Sequence, residues 1–113
     1  METKYEPSQK FKWFWIKDFQ EYDSYKVYNE LRLGTKLDLR PEPSHPYYPE
    51  AVAIYFGETK LGYIPKEYSS EIYKLLYFGH DDFYEALISS DCSKTSIEFF
   101  CFVTVRLKDN RKA

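Results

Sequence analysis

The chain lacks the features that announce a membrane protein or a broad polyanion-binding protein. No apolar run approaches the roughly 18 residues of a membrane span, and no apolar signal core follows the charged first residues. The formal net charge is −2 at pH 7, so no global basic field exists to hold many phosphates. These absences predict a cytoplasmic protein without a membrane partner, and they restrict any contact with nucleic acid to a local patch.

Cysteine and glycine are equally scarce. Cys92 and Cys101 are the only cysteines, with no CxxC pair and no histidine at ligand spacing, so we expect reduced thiols and neither a zinc site nor a disulfide framework. None of the four glycines belongs to a phosphate loop, and no serine lies in a nucleophile elbow. His80, Asp81 and Asp82 are adjacent and suit a polar loop better than a metal site. The sequence therefore predicts no enzyme, no cofactor and no metal.

Aromatic residues are abundant instead. They make up 20% of the chain, with 12 tyrosines, which is more than a core of this size can bury. At 113 residues we expect one domain, over residues 11–108, between polar and disordered tails at 1–10 and 109–113.

Period-two patterns dominate the chain. "FKWFWIKDF" is apolar on both faces, which predicts an inner strand, and "TKLDLR", "AVAIYF", "KLGYI", "FYEALIS" and "SIEFFCFVTVRL" predict further strands. Gly57 marks a hairpin, and the spacing of apolar residues after Pro65 predicts an amphipathic helix. The predicted fold is mainly β with one or two helices, a small six-stranded OB-like or SH3-like β-barrel. Its predicted core is Leu37, Leu39, Val52, Ile54, Leu61, Ile64, Leu75, Leu76, Phe99, Cys101 and Val103.

A proline-rich loop separates two of these strands. Four prolines fall within positions 41–49, around Tyr47 and Tyr48. Fixed φ angles lower the entropy lost when a loop is ordered, as a preorganised binding surface requires. Two plainer interpretations stay open: the tyrosines close the barrel mouth by packing on the core, and Lys66 is an ordinary solvated lysine at a helix start.

The central blocks "LDLRPEPSHPYYPEAVAIY" and "KLGYIPKEYSSEIYKLL", preceded by "FQEY", resemble the HIRAN domain family. The resemblance implies a small barrel related to oligonucleotide-binding folds and, as in its best-understood eukaryotic members, capture of the 3′ end of single-stranded DNA. The family's loop aromatic falls on Tyr47 and its basic residue on Lys66. Tyr63 stands where those members have a histidine, and Ser44 and His45 replace two asparagines.

Two departures bear on recognition of a strand end. Tyr48 stands where the eukaryotic members have an aspartate that accepts a hydrogen bond from the 3′-hydroxyl. Their arginine followed by tyrosines is replaced by Gln20, Glu21 and Tyr22, and Glu21 would repel phosphate. We therefore expect weak binding with little preference for a free 3′-hydroxyl. The predicted nucleic-acid-binding residues are Tyr22, Ser44, His45, Tyr47, Tyr48, Tyr63 and Lys66.

Two functions from different classes follow. The first is a module that binds single-stranded DNA or DNA ends in a repair or processing context. The alternative is a protein interaction module that uses the same aromatic groove without DNA, which the acidic composition favours. Salt separates them, because binding through phosphates weakens as salt rises whereas an aromatic protein interface changes little.

Overall fold

The computed structural model describes residues 8–89, 93–94 and 99–110. Its strands are β1 (Ser8–Trp15), β2 (Lys36–Glu42), β3 (Ala51–Phe56), β4 (Thr59–Tyr63), β5 (Tyr84–Ile88), β6 (Ser93–Lys94), β7 (Phe99–Phe100) and β8 (Phe102–Lys108). Its α-helices are α1 (Ser24–Val27), between 3₁₀ turns at Phe19–Glu21 and Tyr28–Glu30, and α2 (Lys66–Tyr77).

Six strands form one curled antiparallel sheet in the order β1-β8-β5-β2-β3-β4, and β6 pairs separately with β7. The two ends of the sheet meet at one point, where Lys17 pairs with Tyr63. The predicted mainly β fold, a six-stranded OB-like barrel, is thus confirmed in the form of a half-closed barrel.

The β3–β4 hairpin and α2 follow their local sequence signals. Gly57 adopts a φ of 60° at the hairpin turn, which glycine adopts without a steric penalty. Pro65 precedes the first residue of α2, and the helix buries Ile72 and Leu76 against the sheet. No helix within the described ranges is long and apolar enough to cross a membrane.

The concave face of the sheet and α2 enclose one main core. Val52 and Ile54 lie on the same face of β3 and are fully buried, as the alternation predicts. Leu75 is an error in the predicted core, because it is half-buried on the flank of α2 and lies outside this cluster. The side chain of Phe99 lies outside the described part of the chain. The other nine predicted core residues belong to the cluster: Leu37, Leu39, Val52, Ile54, Leu61, Ile64, Leu76, Cys101 and Val103.

β1 differs from its prediction. It begins at Ser8, within the segment expected to be a tail, and it lies at one end of the sheet with β8 as its sole neighbour among the described strands. Phe14 is buried, whereas Trp13 and Trp15 on the opposite face are about half exposed. The prediction of an inner strand was wrong because a period-two apolar pattern does not reveal whether its second face is covered.

Two further predictions need correction. Cys101 is disulfide-bonded, not reduced, and Cys92 lies outside the described residues. Pairing of Ser93 with Phe100 brings the chain neighbours of the two cysteines together, which a search for metal-ligand spacing does not anticipate. Pro41 belongs to β2 and not to the loop. It lies beyond the residues that β2 pairs with β5, so its missing N–H interrupts no ladder there.

Candidate functional site

The closure of the sheet positions the candidate site. Lys17 and Tyr63 exchange two backbone hydrogen bonds, of 2.8 and 2.9 Å, so their side chains lie side by side on the outer face. Gly62 allows this contact: its φ is 150°, and a Cβ there would lie 2.3 Å from the carbonyl oxygen of Lys17. The glycine of "LGYIP" is therefore required by a close approach of two backbones.

The loop between β2 and β3 folds over this closure and is held by His45. Its Nδ1 accepts hydrogen bonds from the backbone N–H groups of Tyr47 and Tyr48, both at 3.1 Å. Nδ1 must be unprotonated to accept them, so the imidazole carries its proton on Nε2. His45 is therefore a structural cap of the loop as well as a wall of the site.

The far end of the loop is fixed to α2. The hydroxyl of Ser69, which is fully buried, donates to the carbonyl of Glu50 at 2.6 Å. Ser70 donates to the Glu50 carboxylate at 2.9 Å, and the hydroxyl of Tyr48 donates to the carbonyl of Lys66 at 3.4 Å. Burial raises the pKa of Tyr48 above its ordinary value, and the charge of Glu50 adds to the shift.

A groove of about 500 Å³ lies between this loop, the sheet closure and the start of α2. Six of the seven predicted site residues line it, and Ser44 is exposed outside the lining. The lining also includes Lys17 and Asp18, which sequence reasoning missed because only the sheet closure brings them there. The residues that line the groove are Lys17, Asp18, Tyr22, His45, Pro46, Tyr47, Tyr48, Ala51, Tyr63, Ile64 and Lys66.

Aromatic rings form the floor and one wall of the groove. Tyr63 is buried in the floor, with the ring of Tyr22 at 5.7 Å and that of His45 at 5.0 Å, both edge-on. Tyr47 lies at the mouth with 90% of its surface exposed, its ring 6.2 Å from His45. Tyr47 is thus free to stack on a planar ligand, and the barrel-closing role that the sequence left open does not apply to it.

A partly buried polar network holds Tyr63 in place. Its hydroxyl donates a short hydrogen bond to Glu42, and Lys60 donates to the same carboxylate at 2.8 Å and to the Tyr63 hydroxyl at 2.5 Å. Burial alone would raise the pKa of Glu42, but these hydrogen bonds outweigh it and lower that pKa. Burial, aided by Glu42, raises the pKa of Tyr63 far above its ordinary value.

The sequence alone did not predict this network. Glu42 and Tyr63 lie on strands that flank β3, opposite Ala51 and Ala53 respectively. The small alanines leave room for the two long side chains to meet above β3. The sequence feature that could have indicated the network is the Ala-x-Ala of "AVAIYF". It becomes informative only when the register of β2 and β4 against β3 is known.

Two lysines at the rim give the groove its charge. Lys66 is the first residue of α2, its Nζ lying 5.2 Å from the centre of the Tyr48 ring, and Lys17 enters from the sheet closure. Within the described part of the chain neither lysine forms a salt bridge. Asp18 is the acidic residue of the lining. No three metal-ligating side chains converge anywhere in the described ranges.

A curled antiparallel sheet with an aromatic, lysine-rimmed groove on its outer face defines a small OB-like domain with a candidate binding groove. Residues 21–108 match the family model of the HIRAN domain, so the chain belongs to the HIRAN domain family. The family is associated with nucleic-acid binding. The match confirms the resemblance of the central blocks and extends it through β8.

A solved structure supports the fold. The chain is similar to a protein from Lactobacillus plantarum whose crystal structure was a structural genomics target, with a TM-score of 0.71 and 16% sequence identity. The similarity covers 90% of this chain and 97% of that one, which shows a shared architecture. No curated protein sequence matches the chain.

Proposed function

We propose that the groove binds single-stranded nucleic acid, as single-stranded DNA or a DNA end, and that the domain is a non-catalytic module in DNA repair or processing. The observation that carries the proposal is the convergence of Tyr47, His45 and Tyr63 with two rim lysines in one groove. Aromatic faces stack on bases of any sequence, and lysines meet the backbone phosphates.

The charge distribution supports an anionic ligand despite the net charge of −2. Glu42, beneath the groove, is matched by Lys60 at 2.8 Å, so its field is largely cancelled. Lys17 and Lys66 remain at the rim against Asp18. The local balance therefore favours contact with one or two phosphates, and it predicts a shallow dependence of affinity on salt.

The test is fluorescence anisotropy with labelled single strands, using variants with matched controls. Tyr47→Ala and Lys66→Ala should each weaken binding, by roughly 5- to 100-fold for a lost stacked base and less for a lost phosphate contact. Tyr77→Ala and Lys74→Ala change an exposed tyrosine and an exposed lysine at the other end of α2, and should leave affinity unchanged. Equal affinity in all four variants would exclude the groove as the binding site.

Salt distinguishes the protein-binding alternative, for which the same groove would hold an apolar or aromatic side chain. Binding through phosphates should weaken between about 50 and 200 mM salt. If single strands do not bind at low salt, the nucleic-acid proposal fails and the groove is left to a protein partner.

Recognition of a strand end is the finer part of the proposal. Tyr48 lines the groove in place of the aspartate of the eukaryotic members, and its hydroxyl donates to the carbonyl of Lys66. It therefore offers no carboxylate to accept a hydrogen bond from a 3′-hydroxyl. Tyr48→Asp should gain a preference for 3′-OH over 3′-phosphate strands, by roughly 10-fold or more for a hydrogen bond to a charged group. A wild-type protein that already discriminates would point to Asp18, the carboxylate of the lining, and Asp18→Asn would then abolish the preference.

A further inference from the structure

The outer face of β1 carries an exposed aromatic surface outside the groove. Trp13 and Trp15 are 47% and 52% exposed, while Phe14 and Ile16 between and beside them are buried. These are the two tryptophans of the chain. Large exposed aromatic groups of this kind commonly mark a binding surface.

Two of the rings on this face, those of Trp13 and Phe102, are held in place. Trp13 stacks on Phe102 of β8 with ring centres 4.7 Å apart and planes within 5°, and its indole N–H donates to the hydroxyl of Ser89 at 3.1 Å. Trp15 lies directly opposite Phe102 in the antiparallel register. We call Trp13, Trp15 and Phe102 the tryptophan face. Its Trp13–Phe102 pair is fixed by these contacts, so a ligand that stacks on the pair loses little entropy in ordering the protein.

The tryptophan face is continuous with the groove. The alternation of inward and outward side chains in β1 continues past the end of the strand. The backbone N–H of Ile16 donates to the carbonyl of Cys101 at 2.9 Å, and the Ile16 side chain is buried in the core. Lys17 therefore shares the outer face with Trp15, two residues and about 7 Å further along the chain. Lys17 also lines the groove and pairs with Tyr63.

The charges around the tryptophan face suit an anionic ligand. Lys10 on β1 lies directly opposite Arg106 on β8, and both side chains are on the outer face of the sheet that carries Trp13 and Trp15. Lys17 lies at one end of the face, and Lys108 at the other. Glu85 lies opposite Arg106 on β5. It is the one acidic residue among the outward positions of the described segments Lys10 to Lys17, Phe102 to Lys108 and Tyr84 to Ile88. A chain with a net charge of −2 thus concentrates cations beside its exposed aromatic rings.

We propose that a single-stranded nucleic acid leaving the groove passes over Lys17 and stacks its next bases on Trp15 and on the Trp13–Phe102 pair. Continuity through Lys17 and the surrounding cations favour this ligand over an apolar protein segment. The inference rests on the proposed function of the groove. It adds a second subsite, so affinity should depend on strand length beyond what the groove alone holds.

The experiment compares single strands of about four and about twelve nucleotides. Unlabelled strands are tested for quenching of tryptophan fluorescence, and labelled strands of the same lengths give the affinities by fluorescence anisotropy. Because both tryptophans lie on the tryptophan face, quenching reports stacking there. The longer strand should quench wild-type fluorescence and bind more tightly. Trp15→Ala should weaken binding of the longer strand by about 5- to 100-fold and leave the shorter one unchanged, while Tyr47→Ala weakens both.

Two controls keep the result interpretable. Trp15→Phe retains a ring and should recover most of the affinity for the longer strand. Phe78→Ala removes an exposed aromatic ring at 71% exposure from the end of α2 and should change neither strand. Thermal melts of all variants should match the wild type.

The outcomes distinguish a missing second subsite from a groove that binds no nucleic acid. If both strands bind without quenching, and Trp15→Ala binds them equally, the tryptophan face is not a subsite and the proposed function stands. If neither strand binds, both proposals fail. If Trp15→Ala instead converts a dimer into a monomer, measured by light scattering, while leaving strand binding unchanged, the face is an interface between copies of this chain and the proposal is overturned.

Discussion

Gly62→Ala tests whether the sheet closure holds the candidate site together. A Cβ at this position would lie 2.3 Å from the carbonyl oxygen of Lys17 and 2.6 Å from Cγ2 of Ile16. The first of these atoms belongs to the backbone, so relief requires the two chain segments to separate. We expect loss of both Lys17–Tyr63 hydrogen bonds, since no rotation of the new methyl group removes the clash.

The expected cost follows from two terms. Two backbone hydrogen bonds contribute about 1 kcal/mol each, and a side chain at positive φ costs roughly 1–2 kcal/mol. The total of about 3–4 kcal/mol should lower the melting temperature by at least about 10 °C for a domain of this size. Urea unfolding would measure the free energy, and amide hydrogen exchange would show loss of protection at the N–H of Tyr63.

Gly57→Ala is the matched control. Gly57 also has positive φ, 60°, but nothing lies within 4 Å of a Cβ built there. This variant should lose roughly 1–2 kcal/mol from backbone strain alone and keep the protection of Tyr63. Equal destabilisation by the two substitutions, with Tyr63 still protected in Gly62→Ala, would refute the reasoning that the backbone contact requires this glycine.

Three further predictions concern the loop and the floor of the groove. Because the folded-state pKa of Glu42 is lowered, its stabilising contribution is complete above the ordinary value of 4.5 and is lost as pH falls through the folded value. Urea midpoints measured across the acid range should therefore depend less on pH in Glu42→Gln, and identical slopes would contradict this. Ser69→Ala should cost about 1–3 kcal/mol in urea unfolding, because it leaves the Glu50 carbonyl without its buried donor, and Ser70→Ala should cost less; the reverse order would count against the buried bond. His45→Ala should speed amide exchange at the N–H groups of Tyr47 and Tyr48 whereas His45→Asn should not, and equal exchange in both variants would exclude the cap.

The parts of the fold that were predictable are those set by neighbours in sequence. The β3–β4 hairpin and α2 each carry their own periodicity and their own turn or stop residue, so a short window suffices. The groove was partly predictable because Tyr47, Tyr48, Tyr63 and Lys66 belong to two family blocks that the hairpin brings together. Their meeting needs only one turn at Gly57, with no knowledge of the remaining strands.

The parts that were not predictable depend on contacts between distant segments. The Glu42–Lys60–Tyr63 network exists because β2 and β4 flank β3 in one particular register, which no single strand encodes. Lys17 and Asp18 enter the groove through the pairing of Lys17 with Tyr63. The exposure of Trp13 and Trp15 also depends on distant segments. The sequence of β1 is apolar on both faces, and only the assembled sheet determines that one face is left uncovered.

His45 combines two roles in the candidate site, as a cap of the loop and as an aromatic wall of the groove. Ser44 and His45 stand where the eukaryotic relatives have asparagines, and their side chains can still offer polar contacts to a ligand. In the loop, however, His45 uses Nδ1 as an acceptor for the N–H groups of Tyr47 and Tyr48, and the carbonyl oxygen of an asparagine can cap N–H groups two and three residues ahead in the same way. The imidazole caps the loop and also places a ring edge against Tyr63 at 5.0 Å. His45 therefore fixes the conformation that presents Tyr47 at the mouth and makes the wall of the groove aromatic, as the proposed stacking of a base requires.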